Sequence, residues 1–324
     1  MYLTCFFAIL GLIRTLLPLF TKYGIIIERF LLCFHLIHFK HKGIYYKKIY
    51  EKVERFSYRL VTMTMSLTML CAGVFNLVPV MNNIRSGAYA DPNKTIEFSV
   101  FFSYPGFDPQ NHHKFVTGWN LFLVFACAIL VGGIDVVMTL FIFQIIGHID
   151  ILNNNLENFP KLKKNSKVGK TKQSLNLTAD MFSNEENVII KEKIKQCVEH
   201  HVLVISFTDD VSEFFGPVIA VYYLFHLVAG CMMLLELSAG DAGSLTRYGP
   251  LTVVIFGQLI IISVIFEIVN TKSEQLANTA YCLPWESMSV YNQRSLCLLL
   301  NRLQTPIVVT ALGVTPVNVQ TMFT

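Results

Sequence analysis

Residues 116–146 read VTGWNLFLVFACAILVGGIDVVMTLFIFQII, and in these 31 positions Asp135 is the only charged residue. About 20 apolar residues suffice for a helix to cross the ~30 Å hydrocarbon core of a bilayer, so this run spans it with length to spare. Similar runs lie on either side. Residues 60–81 read LVTMTMSLTMLCAGVFNLVPVM, and residues 214–238 and 250–270 are as apolar. Two further candidates sit at the ends, at 296–324 and at 3–37, the latter interrupted by Arg14 and by Glu28-Arg29. The opening MYLTCFFAILGLIRTLLPLF resembles a secretory signal. It lacks a basic start, however, and its apolar character resumes after Lys22, so 3–37 predicts one long, imperfect membrane helix.

Composition agrees with six spans. Of 324 residues 53% are hydrophobic and 15% are charged, against roughly 25% charged in a soluble domain. The 26 Phe exceed what one or two soluble cores would bury, which fits helices that face a lipid bilayer. The expected fold class is an all-α integral membrane protein, a helical bundle forming a single transmembrane domain over 1–324. A net charge of +4 does not suggest nucleic-acid binding. The 8 Cys are scattered singly with no CxxC pair, as small buried hydrophobes are, rather than as zinc ligands or a disulfide framework.

Lys and Arg set the orientation, because they are retained on the cytoplasmic side of membrane helices. Residues 38–59 hold seven basic residues and 147–213 hold nine Lys, whereas 82–115 has only Arg85, Lys94 and Lys114, and 239–249 only Arg247. Alternation then places 38–59, 147–213 and 271–295 inside, and 82–115, 239–249 and the C-terminus outside. The sequon Asn93-Lys94-Thr95 falls in an outer loop, where glycosylation is possible; Asn176-Leu177-Thr178 falls in an inner one.

Motifs for chemistry are few. No P-loop, GxGxxG, GxSxG or HExxH occurs, so an enzyme is not expected and no cofactor is implied. The pairs His112-His113 and His200-His201 point in diverging directions on a helix or strand and read as solvated residues. Asp209-Asp210 with Glu213 reads as a charged helix start. Asp135 follows Gly132-Gly133, a small-residue patch that admits a neighbouring helix, and either an ion path or a structural hydrogen bond accounts for it.

The outer loop carries Phe98, Phe101, Phe102, Tyr104 and Phe107 around Pro105 and Pro109. It reads either as a lid over an apolar cavity lined by Phe75, Asn76, Trp119, Phe122 and Phe125, or as a membrane-interface anchor. In the inner loop, Val188, Ile189, Ile194, Val198, Val202 and Ile205 recur near helical spacing. Residues 186–213 are therefore expected to extend the fourth span as an amphipathic helix, packing within its own subunit or against another.

The C-terminal third carries a resemblance. AYCLPWESM from Ala280, then RSLCLLLNRLQTPIVVTALGVTPVNVQTMF, resembles the insect odorant receptor family, in which A-Y-x-x-x-W precedes a final helix with K/T-P-x-x-x-T-A and F-x-P-x-S/N. The matching positions are Ala280, Tyr281 and Trp285, then Pro306, Thr310, Ala311, Pro316 and Asn318. Phe107-Asp108, Asp135, His148 and His200 or His201 are also similar. The sequence departs at Leu312-Gly313-Val314, where G-K-F is common, and at Met322.

The resemblance implies seven helices with the N-terminus inside and the C-terminus outside. The chain then corresponds to helices two to seven, lacking the first and the outer part of the last, as an incomplete or shortened form. It implies a tuning subunit that binds a small hydrophobic odorant, assembles with a shared co-receptor into a heteromeric tetramer, and gates a cation channel in the plasma membrane of olfactory sensory neurons. Tyr281, Trp285 and Pro306, with the 186–213 helix, would serve the subunit anchor. The outer group of Phe75, Asn76, Trp119, Phe122, Phe125 and Phe102 would take the odorant. The rivals are a gustatory receptor of the same superfamily, a secondary transporter, which would show an internal repeat, and a G-protein-coupled receptor, opposed by the outer C-terminus and the absence of D-R-Y and N-P-x-x-Y.

The orientation makes one direct prediction. Endoglycosidase treatment should increase the gel mobility of the protein, and Asn93→Gln should abolish the shift while Asn176→Gln leaves it unchanged. The reverse pattern would invert the orientation.

Overall fold

The structure, a computed structural model, describes residues 12, 16–91, 93–101, 106–161, 181–238, 240, 242–311 and 315–316. A 3-10 turn at Leu17–Leu19 leads into α1 (Thr21–Arg29), a π turn (Phe30–Phe34) and a second 3-10 turn (Leu36–His38). Four long helices follow: α2 (Ile44–Ser86), α3 (His113–Glu157), α4 (Asn184–Ser238) and α5 (Ala242–Tyr281). After a 3-10 turn at Trp285–Ser287 comes α6 (Val290–Leu303), and a two-residue antiparallel pair joins Thr310–Ala311 to Thr315–Pro316.

Helices α2 to α5 are long and apolar enough to cross a membrane. They contain the expected spans 60–81, 116–146, 214–238 and 250–270. At 1.5 Å per residue, the 55 residues of α4 extend about 80 Å, far beyond a ~30 Å hydrocarbon core. The amphipathic stretch 186–213 therefore runs into the 214–238 span as one helix and projects from the bilayer. Local signals fix its start. Ser183 and Glu186 form a reciprocal capping box, the Ser183 N–H donating to the Glu186 carboxylate at 2.9 Å and the Glu186 N–H to Ser183 Oγ at 3.2 Å. At the far end of α2, Gly87 takes φ 71°, and the Ala88 N–H closes the helix onto the Asn83 carbonyl at 3.0 Å.

Packing is uneven along the bundle. In the most apolar windows of α2 and α3 only 17% and 18% of residues are buried, against 44% and 50% in α4 and α5. Exposed apolar faces of this size suit lipid and not water. The main core lies at the opposite end from the 87–112 loop, where every residue from Phe141 to Ile149 except Gly147 and His148 is a buried hydrophobe or the buried Gln144. There Phe34 stacks on Phe207 with ring centroids 3.9 Å apart, and Phe141 meets Phe207 edge-on at 5.5 Å.

The first span differs from expectation. Among the described residues of 3–37 the chain is not one helix, because Phe20 and His35 are extended, with ψ of 128° and 132°. The break at His35 frees main-chain groups that α3 then satisfies. The Leu36 N–H donates to Gln144 Oε1 at 2.8 Å, and His148 Nε2 meets the Phe34 carbonyl at 2.6 Å. A carbonyl only accepts, so His148 carries its proton on Nε2. Its Nδ1, 2.8 Å from His200 Nε2, is then the acceptor of the His200 N–H. Residues 3–11 and 13–15 lie outside the described residues.

The last span also differs. Helix α6 ends at Leu303 instead of continuing through 296–324. Pro306 has no N–H and biases Thr305 away from helical geometry. Beyond it, side chains of α5 and α4 take up the main chain, the Ile307 N–H donating to Ser273 Oγ at 2.6 Å and the Thr310 N–H to Ser212 Oγ at 3.4 Å. Residues 312–314 and 317–324 lie outside the described residues.

Two polar readings need correction as well. His201 is buried and His200 half-buried against the Phe39 ring, so neither is simply solvated. Asp209, Asp210 and Glu213 sit in the middle of α4, not at a helix start, with Asp210 paired to Arg29 and Glu213 to Lys22.

His148 is thus a clamp between the first segment, α3 and α4. His148→Leu should lower unfolding stability by about 2 kcal/mol, because it leaves a buried carbonyl and an imidazole N–H unpaired. His200→Leu should cost less, and the double variant less than the sum, as read from thermal unfolding in detergent.

Candidate ligand cavity

Small and flexible residues open a space between the spanning helices. Gly132 brings the α3 backbone against Met65 of α2, since a Cβ there would lie 2.7 Å from the Met65 sulfur. Around this approach α2, α3, α4 and α5 line a partly open cavity of about 40 Å³. Thr64 and Thr68 line it from α2, Asp135 and Thr139 from α3, Tyr222 from α4 and Gln258 from α5. The rest of the wall is apolar, including Leu60, Val136 and Ile262.

Its polar groups are held in fixed directions. Thr68 Oγ1 donates to the Thr64 carbonyl at 2.8 Å and accepts from Gln258 Nε2 at 3.0 Å, a bridge from α2 to α5 across the space. Thr139 Oγ1 donates to the Asp135 carbonyl at 2.6 Å. A volume of this size admits a few waters, well short of the several hundred Å³ that enclose a drug-sized molecule. Met65, with three rotatable side-chain bonds, is the wall element most easily displaced.

Beyond the cavity, one stripe of α2 runs on toward the 87–112 loop. Thr64, Thr68, Cys71 and Phe75 recur at helical spacing. Cys71 Sγ approaches the Pro250 carbonyl at 3.9 Å, and the Phe75 ring lies 6.5 Å from that of Tyr248. Asn76 is buried beside Phe75, its amide donating to the Ala72 carbonyl at 2.9 Å.

The other expected ligand residues stand elsewhere. Trp119 and Phe122 are 42% and 61% exposed on the outward face of α3, where Trp119 stacks between Phe115 and Phe122 at 6.4 and 5.6 Å. Phe125 is half-buried, and Phe102 lies outside the described residues. The structure therefore buries Asn76, leaves Phe75 and Phe125 half-buried and turns Trp119 and Phe122 outward.

Three polar residues that were not singled out in the sequence hold the loop over this end. Asn83 grips Glu97 twice, accepting its N–H at 2.8 Å and donating to its carbonyl at 2.7 Å. Gln110 does the same for Ile96, at 2.8 and 3.2 Å, and the fully buried Asn120 donates to the Val100 carbonyl at 2.7 Å. With Phe98 buried beneath it, this part of the loop is folded down on the helices.

At the opposite end, apolar side chains are exposed on the parts that project from the bilayer. Tyr281 is 67% and Trp285 44% exposed, while Pro306 is half-buried. Val290, Tyr291 and Leu298 of α6 add to this surface. Asn93 sits in an exposed turn of the loop at the other end, its N–H bonded to Asp91 at 3.0 Å.

Comparison with known proteins bears on these features. No curated protein sequence matches the chain. The structure of the insect olfactory receptor OR5 from Machilis hrabei is similar, with a TM-score of 0.74 at 12% identity over 99% of this chain and 76% of that one. The same receptor in complex with eugenol is similar with a TM-score of 0.61 at 11% identity, over 86% and 66%. Likeness at this identity speaks to the fold. A family model for the 7tm odorant receptors matches residues 19–324, and the chain accordingly belongs to the odorant receptor family, as a multi-pass membrane protein.

Proposed function

We propose that the chain is a ligand-binding subunit of an odorant-gated cation channel, acting with a co-receptor in the plasma membrane of olfactory sensory neurons. The cavity bridged by Thr68 and Gln258 carries the reading. An apolar chamber with a few oriented polar groups suits a small, mostly apolar molecule that makes one or two hydrogen bonds. The eugenol complex of the similar receptor supports that ligand class.

In this reading the ligand enters from the outer end and follows the stripe of Phe75 and Asn76 toward Thr68. Trp119, Phe122 and Phe125 form the face along which a membrane-dissolved ligand approaches. Occupancy pushes Met65 aside and separates α2 from α5. A ligand bound more tightly by the separated arrangement shifts the equilibrium toward it by that difference in affinity. Apolar burial at ~25 cal/mol per Å² supplies most of the binding energy, and the Gln258 amide selects among ligands. The exposed Tyr281 and Trp285 would pack against a neighbouring subunit, as exposed apolar patches do at interfaces.

Two experiments test this. Gln258→Leu should weaken a hydrogen-bonding odorant by about five-fold, the worth of one such bond. Met65→Trp should abolish the response by filling the space. Unchanged dose-response curves in surface-delivered protein would refute the cavity. Tyr281→Glu with Trp285→Glu should reduce co-purification with the co-receptor; undiminished recovery would remove these residues from the interface.

A further inference from the structure

The first turns of α2 carry a surface that the proposed function leaves unused. Lys48, Lys52, Arg55 and Arg59 recur at intervals of four, three and four residues, within about 60° of one another around the helix and along about 16 Å of its length. All four are exposed, while Ile49, Val53 and Ser57 turn into the bundle. The nearby acids are engaged elsewhere. Glu51 pairs with Lys47 at 3.9 Å, and Glu54 lies beside Tyr50, whose hydroxyl pKa it raises. Among the described residues no carboxylate pairs with the four cations.

The stripe has a definite level relative to the membrane. The apolar run of α2 begins at Leu60, directly after Arg59. Phe56 and Tyr58, 56% and 71% exposed, flank the stripe there, as aromatic side chains do at a membrane interface. Basic clusters immediately cytoplasmic of a spanning helix attract anionic lipids.

Length distinguishes among those lipids. The headgroup layer is about 5–8 Å deep on each side, so a single glycerol phosphate reaches Arg59 and Arg55 only. Lys52 and Lys48 stand farther out, where a partner must present phosphates well beyond the glycerol. We infer that Lys48, Lys52, Arg55 and Arg59 form a docking face for the headgroup of a polyphosphoinositide of the cytoplasmic leaflet. Its ring phosphates meet the lysines, its phosphodiester meets the arginines, and Phe56 and Tyr58 lie against the acyl boundary. The inference rests on the orientation that places residues 38–59 inside.

Full-length chain purified in detergent is titrated with fluorescent phosphatidylinositol 4,5-bisphosphate and compared with the variant K48Q/K52Q/R55Q/R59Q. Binding should weaken by about ten-fold or more, since each basic residue near a lipid surface is worth several-fold. The charge-conserving variant K48R/K52R/R55K/R59K should bind within about two-fold of wild type. The narrower R55Q/R59Q should show an intermediate loss, so the test holds if the quadruple variant is unstable. Equal binding by wild type and the glutamine variants would overturn the proposal. Competition by phosphatidylserine at matched total charge, or by soluble inositol trisphosphate as effectively as by the lipid, would overturn the choice of partner. A tag placed after Lys42 tests the orientation separately. Labelling in intact cells would remove the cytoplasmic leaflet from the proposal, even where binding in detergent persists.

Discussion

His148 and the stacked rings of Phe34 and Phe207 hold the first segment to α3 and α4, and the spacing of the long helices depends on this contact. A fully buried imidazole between a carbonyl and a second imidazole has both nitrogens satisfied and little freedom to move. Around it Phe141 and Phe30 complete an aromatic cluster that leaves no room for rearrangement. Polar ties extend the same joint, with Lys272 paired to Asp150 and Thr279 hydrogen-bonded to Asn153.

This concentration of packing at one end has a mechanical consequence. In the proposed reading α2 and α3, tied at their projecting ends and sparsely buried in their apolar windows, pivot more easily there than they come apart. The polar bridge from Thr68 to Gln258 costs little to exchange for a hydrogen bond to a ligand. Gly132 and Met65 let α2 shift against α3 without breaking a close-packed core. A receptor that must yield to a small molecule without unfolding needs this division.

Hydropathy made the four central spans legible, because lipid imposes the same demand on every residue of a run. The helical periodicity of 186–213 made the long extension of α4 legible too. What depended on distant partners was not legible. The break at His35 is stabilised by Gln144 and His148, 108 and 114 residues away from the groups they bind. The adjacent pair His200-His201 reads as polar surface until α3 supplies His148. Which way the expected ligand residues face was not legible, since a helical wheel gives no absolute direction in a chain apolar all round; Asn76 is buried and Trp119 exposed. The end of α6 was overextended because Val308, Val309 and Thr310 are apolar or β-branched enough to prolong the run, while Pro306 stops the helix. Family membership narrows the rival functional readings to that of an odorant receptor.

The central claim is that α2 and α5 separate around a ligand while the opposite end stays clamped. Bridging Thr68→Cys to Gln258→Cys with a short bis-methanethiosulfonate, in a background lacking the 8 native cysteines, tests it most directly. Evoked current through the co-expressed channel should vanish while the bridge is in place and return on reduction. Full evoked current with the bridge verified intact would contradict the account.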